Sequence, residues 1–155
     1  MIHNYTPAEH TDGSYVFMQP ADRARKLAAG GYLQYAWAMA LQPLPPLSFV
    51  DFLGSRQGRP CCWVSLISRS YTWPQLMGWG GIFLKYRTYV TLQQLAQVPL
   101  SIAWLGAYVV YDLADGLYAQ HVGNIPPVRV IAYDPRGAVN DTEPAVLVTH
   151  LERVA

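Results

Sequence analysis

Asp112 and Asp115 are the residue pair with the clearest chemical potential in this sequence. Three positions apart, they share one face wherever the backbone is helical. Two carboxylates at membrane depth can relay a proton or raise one another's pKa. The simpler reading, that they mark where a helix meets water, carries more weight. Other constellations point to no reaction. His3, His10, His121 and His150 are scattered and form no His-Glu-x-x-His pattern, so solvated histidines are expected rather than metal ligands. Gly78-Trp79-Gly80-Gly81 has neither the spacing of a phosphate loop nor a following Lys-Ser/Thr. No nucleophile elbow occurs.

Cys61 and Cys62 are the only cysteines and are adjacent. Neighbouring cysteines rarely form a relaxed disulfide with each other, and two ligands do not complete a structural zinc site. A plain buried pair is expected, with an intermolecular bridge or a metal site completed by another chain as the alternatives. The expectation is therefore of no catalytic, cofactor-binding or metal residue, no cofactor, and a protein that is not an enzyme.

The elements around these residues look membrane-bound. Thr88 to Tyr111 runs 24 residues without an Asp, Glu, Lys or Arg, with Lys85 and Arg87 just before it and Asp112 and Asp115 just after. A helix rises ~1.5 Å per residue and a bilayer core is ~30 Å thick, so roughly 20 apolar residues are needed to cross. Val98 to Tyr118 supplies 21, with Pro99 tolerated in the first turn. Composition agrees: 52% of the 155 residues are apolar and 14% charged, against a usual charged share of about 25%. The 11 Tyr and 5 Trp suit a membrane–water boundary, although an aromatic core gives the same counts. A net charge of +1 gives no reason to expect nucleic acid.

The predicted fold class is mainly α, a small membrane protein in four parts. Residues 1–20 form an extended arm, lacking the basic start and apolar stretch of a secretory signal. Residues 21–97 form a helical, membrane-apposed region with a basic turn at Gly54 to Arg59. Within it Ala21 to Gln42 is an amphipathic helix, and the charge-free run Leu27 to Val50 is broken by Pro43, Pro45 and Pro46 before it is long enough to span. A true second crossing there is the minority reading. Pro60 to Ser68 reads as strand or helix. Residues 98–118 form the transmembrane helix, and residues 119–155 an extramembrane tail. In the tail, Val128 to Tyr133 and Ala145 to His150 are β-rich and face each other across Asp134-Pro135-Arg136-Gly137, a turn signal for a loose hairpin or an extended arm.

Helix-packing candidates are the small residues Gly78, Gly81, Ala103 and Ala107. Membrane-interface candidates are Arg23, Arg25, Lys26, Lys85, Arg87, Asp112 and Asp115, the basic ones meeting anionic headgroups. Met1 to Arg87 holds eight basic and four acidic residues, a net of +4, and Asp112 to Ala155 three basic and six acidic, a net of −3. That asymmetry puts the N-terminal part on the matrix side.

In architecture, though in no motif, the chain resembles small supernumerary subunits of mitochondrial respiratory complexes or ATP synthase. The resemblance implies a non-catalytic accessory subunit of a respiratory-chain or ATP synthase type complex in the mitochondrial inner membrane, with other subunits and lipids as partners. The alternatives are a soluble single-domain binding protein whose charge-free runs are its core, and a membrane-bound proton-handling protein using Asp112 and Asp115.

Overall fold

The computed structural model describes residues 20–45, 48, 50–126, 130–133 and 143–154. It is mixed α/β, not mainly α. Helix α1 (Pro20–Trp37) leads into β1 (Ala40–Pro43), β2 (Phe52–Arg56) and β3 (Arg59–Ser68). A crossover follows, made of α2 (Trp73–Gly78), β4 (Ile82–Lys85) and α3 (Tyr86–Ala96). Then come β5 (Gly106–Leu113), β6 (Gly116–His121), β7 (Val130–Tyr133), β8 (Glu143–Val148) and β9 (Glu152–Arg153). Six strands form one sheet in the order β1-β2-β3-β5-β6-β9, and three form a second, β4-β8-β7.

The centre of the large sheet is the parallel pair β3–β5, registered from Cys62 opposite Gly106 to Ser68 opposite Asp112. Parallel strands need a long crossover, and the one here lays α3 and the small sheet on one face. There Ala107, Val109, Tyr111 and Leu113 of β5 join Leu92 of α3, Leu84 of β4 and Val146 of β8 in one core. On the opposite face α1 sets Ala29 and Leu33 against Leu41, Phe52, Val64, Leu66 and Val110. With both faces covered, alternation of strand side chains yields two buried sides instead of one wet and one dry.

This arrangement overturns the expected transmembrane helix. Residues 98–118 run through a loop, all of β5, the Ala114-Asp115 turn and the start of β6. Among the described residues no helix is long and apolar enough to cross a membrane. The membrane and mitochondrial inner-membrane location and the matrix-side orientation rested on that span and fall with it. The helix expected over 21–42 exists as α1, but it ends at Trp37 and lies on the sheet; residues 40–43 are strand. Pro60 to Ser68 lies in β3. The two β-rich tail runs are strands β7 and β8, paired antiparallel from Val130 opposite Val146 to Tyr133 opposite Glu143. They do not form an outlying arm: β8 also pairs with β4 and buries Val146 and Val148. Of the expected N-terminal arm over residues 1–20, Pro20 opens α1 and residues 1–19 lie outside the described residues, as does the Asp134–Gly137 turn.

Local signals explain the joints. Gln57 and Gly58 both have positive φ, 52° and 73°, as the two-residue hairpin turn between β2 and β3 requires. The β2–β3 register slips between Gly54 and Ser55, leaving Cys61 as an extra residue on β3. That bulge turns both adjacent cysteines into the α1-side core, where alternation would have sent one to each face. Helix α2 opens on a reciprocal capping box between Thr72 and Gln75.

The end of α1 is closed by two bonds, Ala38 N–H to the Tyr35 carbonyl and Met39 N–H to the Gln34 carbonyl. This is the Schellman pattern, with Ala38 in the left-handed position at φ 49° that glycine favours. On the other face Tyr111 is fully buried and its hydroxyl has no hydrogen-bond partner among the described residues.

Two substitutions test these features. Ala38→Gly should stabilise the fold by roughly 0.5–1 kcal/mol in chemical denaturation, because a left-handed Cβ is unfavourable and the cap bonds are unchanged. Tyr111→Phe should be neutral or stabilising by about 1 kcal/mol, since it removes an unpaired buried hydroxyl without changing ring packing. A clear loss for Tyr111→Phe would mean the hydroxyl is satisfied in solution.

Candidate functional site

One end of the large sheet gathers side chains from five separate segments. Trp37 comes from the last residue of α1, Arg56 from the end of β2, Tyr108 from β5, His121 from β6, and Glu152 from β9. Together with Asn124 they line a cleft of about 400 Å³, within the size range of small-molecule sites. The cleft exists because α1 is narrower than the sheet it covers. Six strands at ~4.8 Å spacing span roughly 24 Å, whereas a helix with its side chains is about 10–12 Å across.

Aromatic rings form a continuous row in this cleft. Trp37 and Tyr108 have centroids 5.1 Å apart at 56°, and Tyr108 meets His121 edge-on at 4.9 Å. Burial and the nearby Cys62 thiol push the Tyr108 phenol above its usual range, with the Arg56 guanidinium opposing them. His121 is held at both nitrogens. Gly123 N–H donates to Nδ1 at 3.0 Å, so Nε2 carries the proton donated to the Leu105 carbonyl at 2.6 Å. A side chain at Gly106, where φ is +92°, would bring a Cβ within 2.8 Å of that ring.

Arg56 is anchored to main chain: its Nη2 donates to the Trp37 carbonyl at 3.1 Å, completing the end of α1. Its guanidinium has five N–H donors in a fixed fork, so one such bond orients the group and leaves others directed elsewhere. Arg153 turns to the opposite face: it pairs with Tyr118, lies over that ring at 5.8 Å and donates to the Asp115 carbonyl at 2.8 Å. The charged side chains on the cleft side are Arg56 and Glu152.

A polar seam fastens α1 to the sheet farther along. Lys26 Nζ meets Asp51 Oδ1 at 2.8 Å, and Asp51 Oδ2 accepts the Leu66 N–H at 2.7 Å. Arg25 stands 3.6 Å from Asp112 Oδ2, the same oxygen that accepts the Ser68 hydroxyl at 3.0 Å. Three membrane-interface candidates, Arg25, Lys26 and Asp112, thus serve in ion pairs within the chain, Lys26 with Asp51 and Arg25 with Asp112. Asp115 is not on a shared helix face with Asp112: Asp112 lies in β5 and Asp115 in the β5–β6 turn. Its carboxylate accepts the Trp73 N–H at the start of α2 and the Tyr118 hydroxyl. Lys85 ends β4, and Arg87 is exposed in the first turn of α3. The backbone of Arg23 is in α1, but its side chain lies outside the described residues.

The packing candidates also disperse. Gly78 is exposed with open space around it, and Ala103 sits in an exposed turn. Ala107 is buried in β5. Gly81 alone admits a close backbone, that of β8: an added Cβ would lie 2.5 Å from the Val148 carbonyl oxygen.

Cys61 and Cys62 are free and fully buried. Cys62 Sγ lies 3.6 Å from Met39 Sδ, and burial pushes its thiol from the ordinary 9.0 up to about 12. Among the described residues no group of three or more His, Cys, Asp or Glu could hold a metal ion.

No protein-family model matches the chain, and no match to it is found among curated proteins or among solved structures. Of the cleft residues, His121 drew notice in the sequence as one of four scattered histidines, and Arg56 as part of the basic turn at Gly54 to Arg59. Trp37, Arg56, Tyr108 and Glu152 carry no spacing signal, because strand order rather than chain order assembles them.

The buried thiol gives stability an alkaline dependence. The unfolded chain loses the Cys62 proton near pH 9, whereas the fold keeps it to about 12, so the unfolded state binds fewer protons in that window. Stability should then fall as pH rises from 9, by at most ~1.4 kcal/mol per unit from this group. Denaturation of the wild type and Cys62→Ala at pH 8 and 10 should show a smaller decline in the variant; equal declines would rule this source out.

Proposed function

We propose that this chain is a non-catalytic, single-domain binding protein that holds a small ligand in the cleft between α1, β5–β6 and β9. The observation that carries the reading is the convergence there of an aromatic row with Arg56, whose guanidinium is anchored by a main-chain bond. Side chains fixed before a ligand arrives lose little entropy on binding. The same fixity argues against catalysis. A general base needs an open nitrogen, and both nitrogens of His121 are engaged. The Cys62 thiol, protonated to about 12 and shielded, is no nucleophile.

A second reading, a subunit that docks on another protein, rests on a different surface. Val98, Leu100, Ile102 and Leu105 are exposed in the loop between α3 and β5, with Ile102 93% exposed. Apolar side chains gathered on one surface often mark a protein contact.

A library of small aromatic fragments, screened against the ¹⁵N-labelled protein by NMR, separates the two. Hits should shift the Trp37 indole N–H together with His121, Gly123 and Asn124, and Tyr108→Ala should weaken them about tenfold or more, the loss of one stacked ring. Shifts confined to residues 98–105, or none at the cleft while the variant retains the native fold, would sink the cleft reading.

A further inference from the structure

We propose that the ligand of this cleft is an uncharged, dipolar heteroaromatic ring of purinone or pterin type, with acceptors on one edge and N–H donors on another. The inference rests on the binding reading above and adds the ligand's chemistry. A flat ring follows from the lining. Trp37, Tyr108 and His121 offer three ring surfaces in sequence, and a planar ligand can contact them with little loss of its own freedom. His121 adds a surface rather than a charge, because both of its nitrogens are already engaged. A cleft of about 400 Å³ suits a ring system of this size.

The dipole follows from where the two charges stand. β5, which carries Tyr108, is flanked by β3 and then β2 on one side, and by β6 and then β9 on the other. Arg56 closes β2, and Glu152 sits on β9 opposite Ala119, whose side chain is on the α1 face. The positive and negative groups therefore stand on opposite flanks of the aromatic row, and among the described residues no ion pair joins them. Tyr108 feels both. Beyond burial and the Cys62 thiol, Arg56 favours loss of its phenol proton and Glu152 opposes it. An anion drawn to Arg56 is repelled by Glu152, and a cation drawn to Glu152 is repelled by Arg56. An uncharged ring with two polar edges gains at both ends. Arg56, oriented by the Trp37 carbonyl, presents its remaining N–H groups as a fork that suits paired carbonyl and ring-nitrogen acceptors, and Glu152 accepts from N–H groups. The end of α1 does not tilt this balance, since the Gln34, Tyr35 and Trp37 carbonyls already accept the Met39, Ala38 and Arg56 donors. A zwitterionic amino acid fits less well: its charges are adjacent, whereas those of the cleft are separated by the row.

Calorimetric titration with guanosine, purine riboside, GMP, indole-3-acetate and tryptamine tests this. Guanosine carries both polar edges, and purine riboside keeps the rings and the ribose without the carbonyl, the lactam N–H and the amino group. Guanosine should bind about tenfold tighter than purine riboside, as one hydrogen bond to a charged group warrants. GMP should bind no tighter than guanosine, and neither indole-3-acetate nor tryptamine should exceed it. Arg56→Gln and Glu152→Gln should each shrink the guanosine-to-riboside ratio. Each also unbalances the cleft in its own direction: Arg56→Gln should improve tryptamine relative to indole-3-acetate, and Glu152→Gln the reverse. Using both variants keeps the test valid if the loss of Arg56 disturbs the end of α1. Equal binding of guanosine and purine riboside would overturn the dipole inference and leave the cleft as a binding site. Preference for GMP over guanosine, or for indole-3-acetate or tryptamine, would replace it with a site for a charged ligand. Failure of every probe to bind at millimolar concentration, with the fold intact, would overturn the inference and the binding reading together.

Discussion

The pairing of β3 with β5 is the constraint from which the rest of this fold follows. The strands run parallel, so the chain between them must travel the full length of the sheet and return. It does so through α2, β4 and α3, and that route fixes which face receives α3 and the small sheet. α1, preceding the sheet in the chain, takes the other face. Val64, Leu66, Val109, Val110 and Tyr111 then have no exposed surface, because neither side of the central pair reaches water. At roughly 1.5–3 kcal/mol for each large apolar side chain removed from water, these central residues are a main source of stability. Adding strands outward from this pair sets everything else: β2 and β1 on one flank, β6 and β9 on the other.

Burial on both faces also explains why the sequence reads as it does. A strand with one wet face alternates apolar and polar residues, and a strand with two dry faces shows an unbroken apolar run. β5 is of the second kind. Placed after the charge-free second half of α3 and its loop, it extends a run that matches a membrane span in length and composition alone. Two local features spoke for strand: the β-branched and aromatic Tyr108-Val109-Val110-Tyr111, and Pro99 with Gly106 breaking the run into pieces too short to cross. Elements with their own local signals were legible. The Ala- and Leu-rich helix following Pro20 is present, and so are two β-rich runs near 130 and 145, because propensity acts within a few residues. Where α1 stops was not legible, since Ala38 holds a position that glycine would have announced.

Charges that suggested a lipid surface instead fasten the protein to itself. Lys26 and Arg25 follow each other on α1 and reach different strands, Lys26 to Asp51 beside β2 and Arg25 to Asp112 on β5. The first pair is the stronger clamp. It is mostly shielded, its distance is 2.8 Å, and the second carboxylate oxygen accepts a main-chain N–H. Removing one partner would strand a charge in a dry place, which costs far more than an intact surface pair contributes. Arg25 is about half exposed and 3.6 Å from its partner, so it orients more than it stabilises. Asp115 works through neutral donors, joining the β5–β6 turn to the start of α2. A sequence with few charges has placed them at seams between elements.

The cleft is the consequence of one helix lying across six strands. α1 shields β1 to β3 and reaches β5 through Val110, Asp112 and Tyr108, the last of these packed by Trp37, its final residue. Beyond that contact the α1 side of β6 and β9 carries Glu152 and the partly buried Val154, which line the cleft at the margin of the core that holds Ala119. The same residue therefore ends the helix, closes the aromatic row and receives Arg56 on its carbonyl. On the proposed binding role, stability and binding would be coupled at that point. Anything that frays the last turn of α1 also moves the indole and frees the guanidinium, so occupancy of the cleft and order at the end of α1 must favour each other. A ligand that contacts Trp37 and Arg56 together would hold the helix end in place, and the capped helix end in turn presents both groups in register before any ligand arrives.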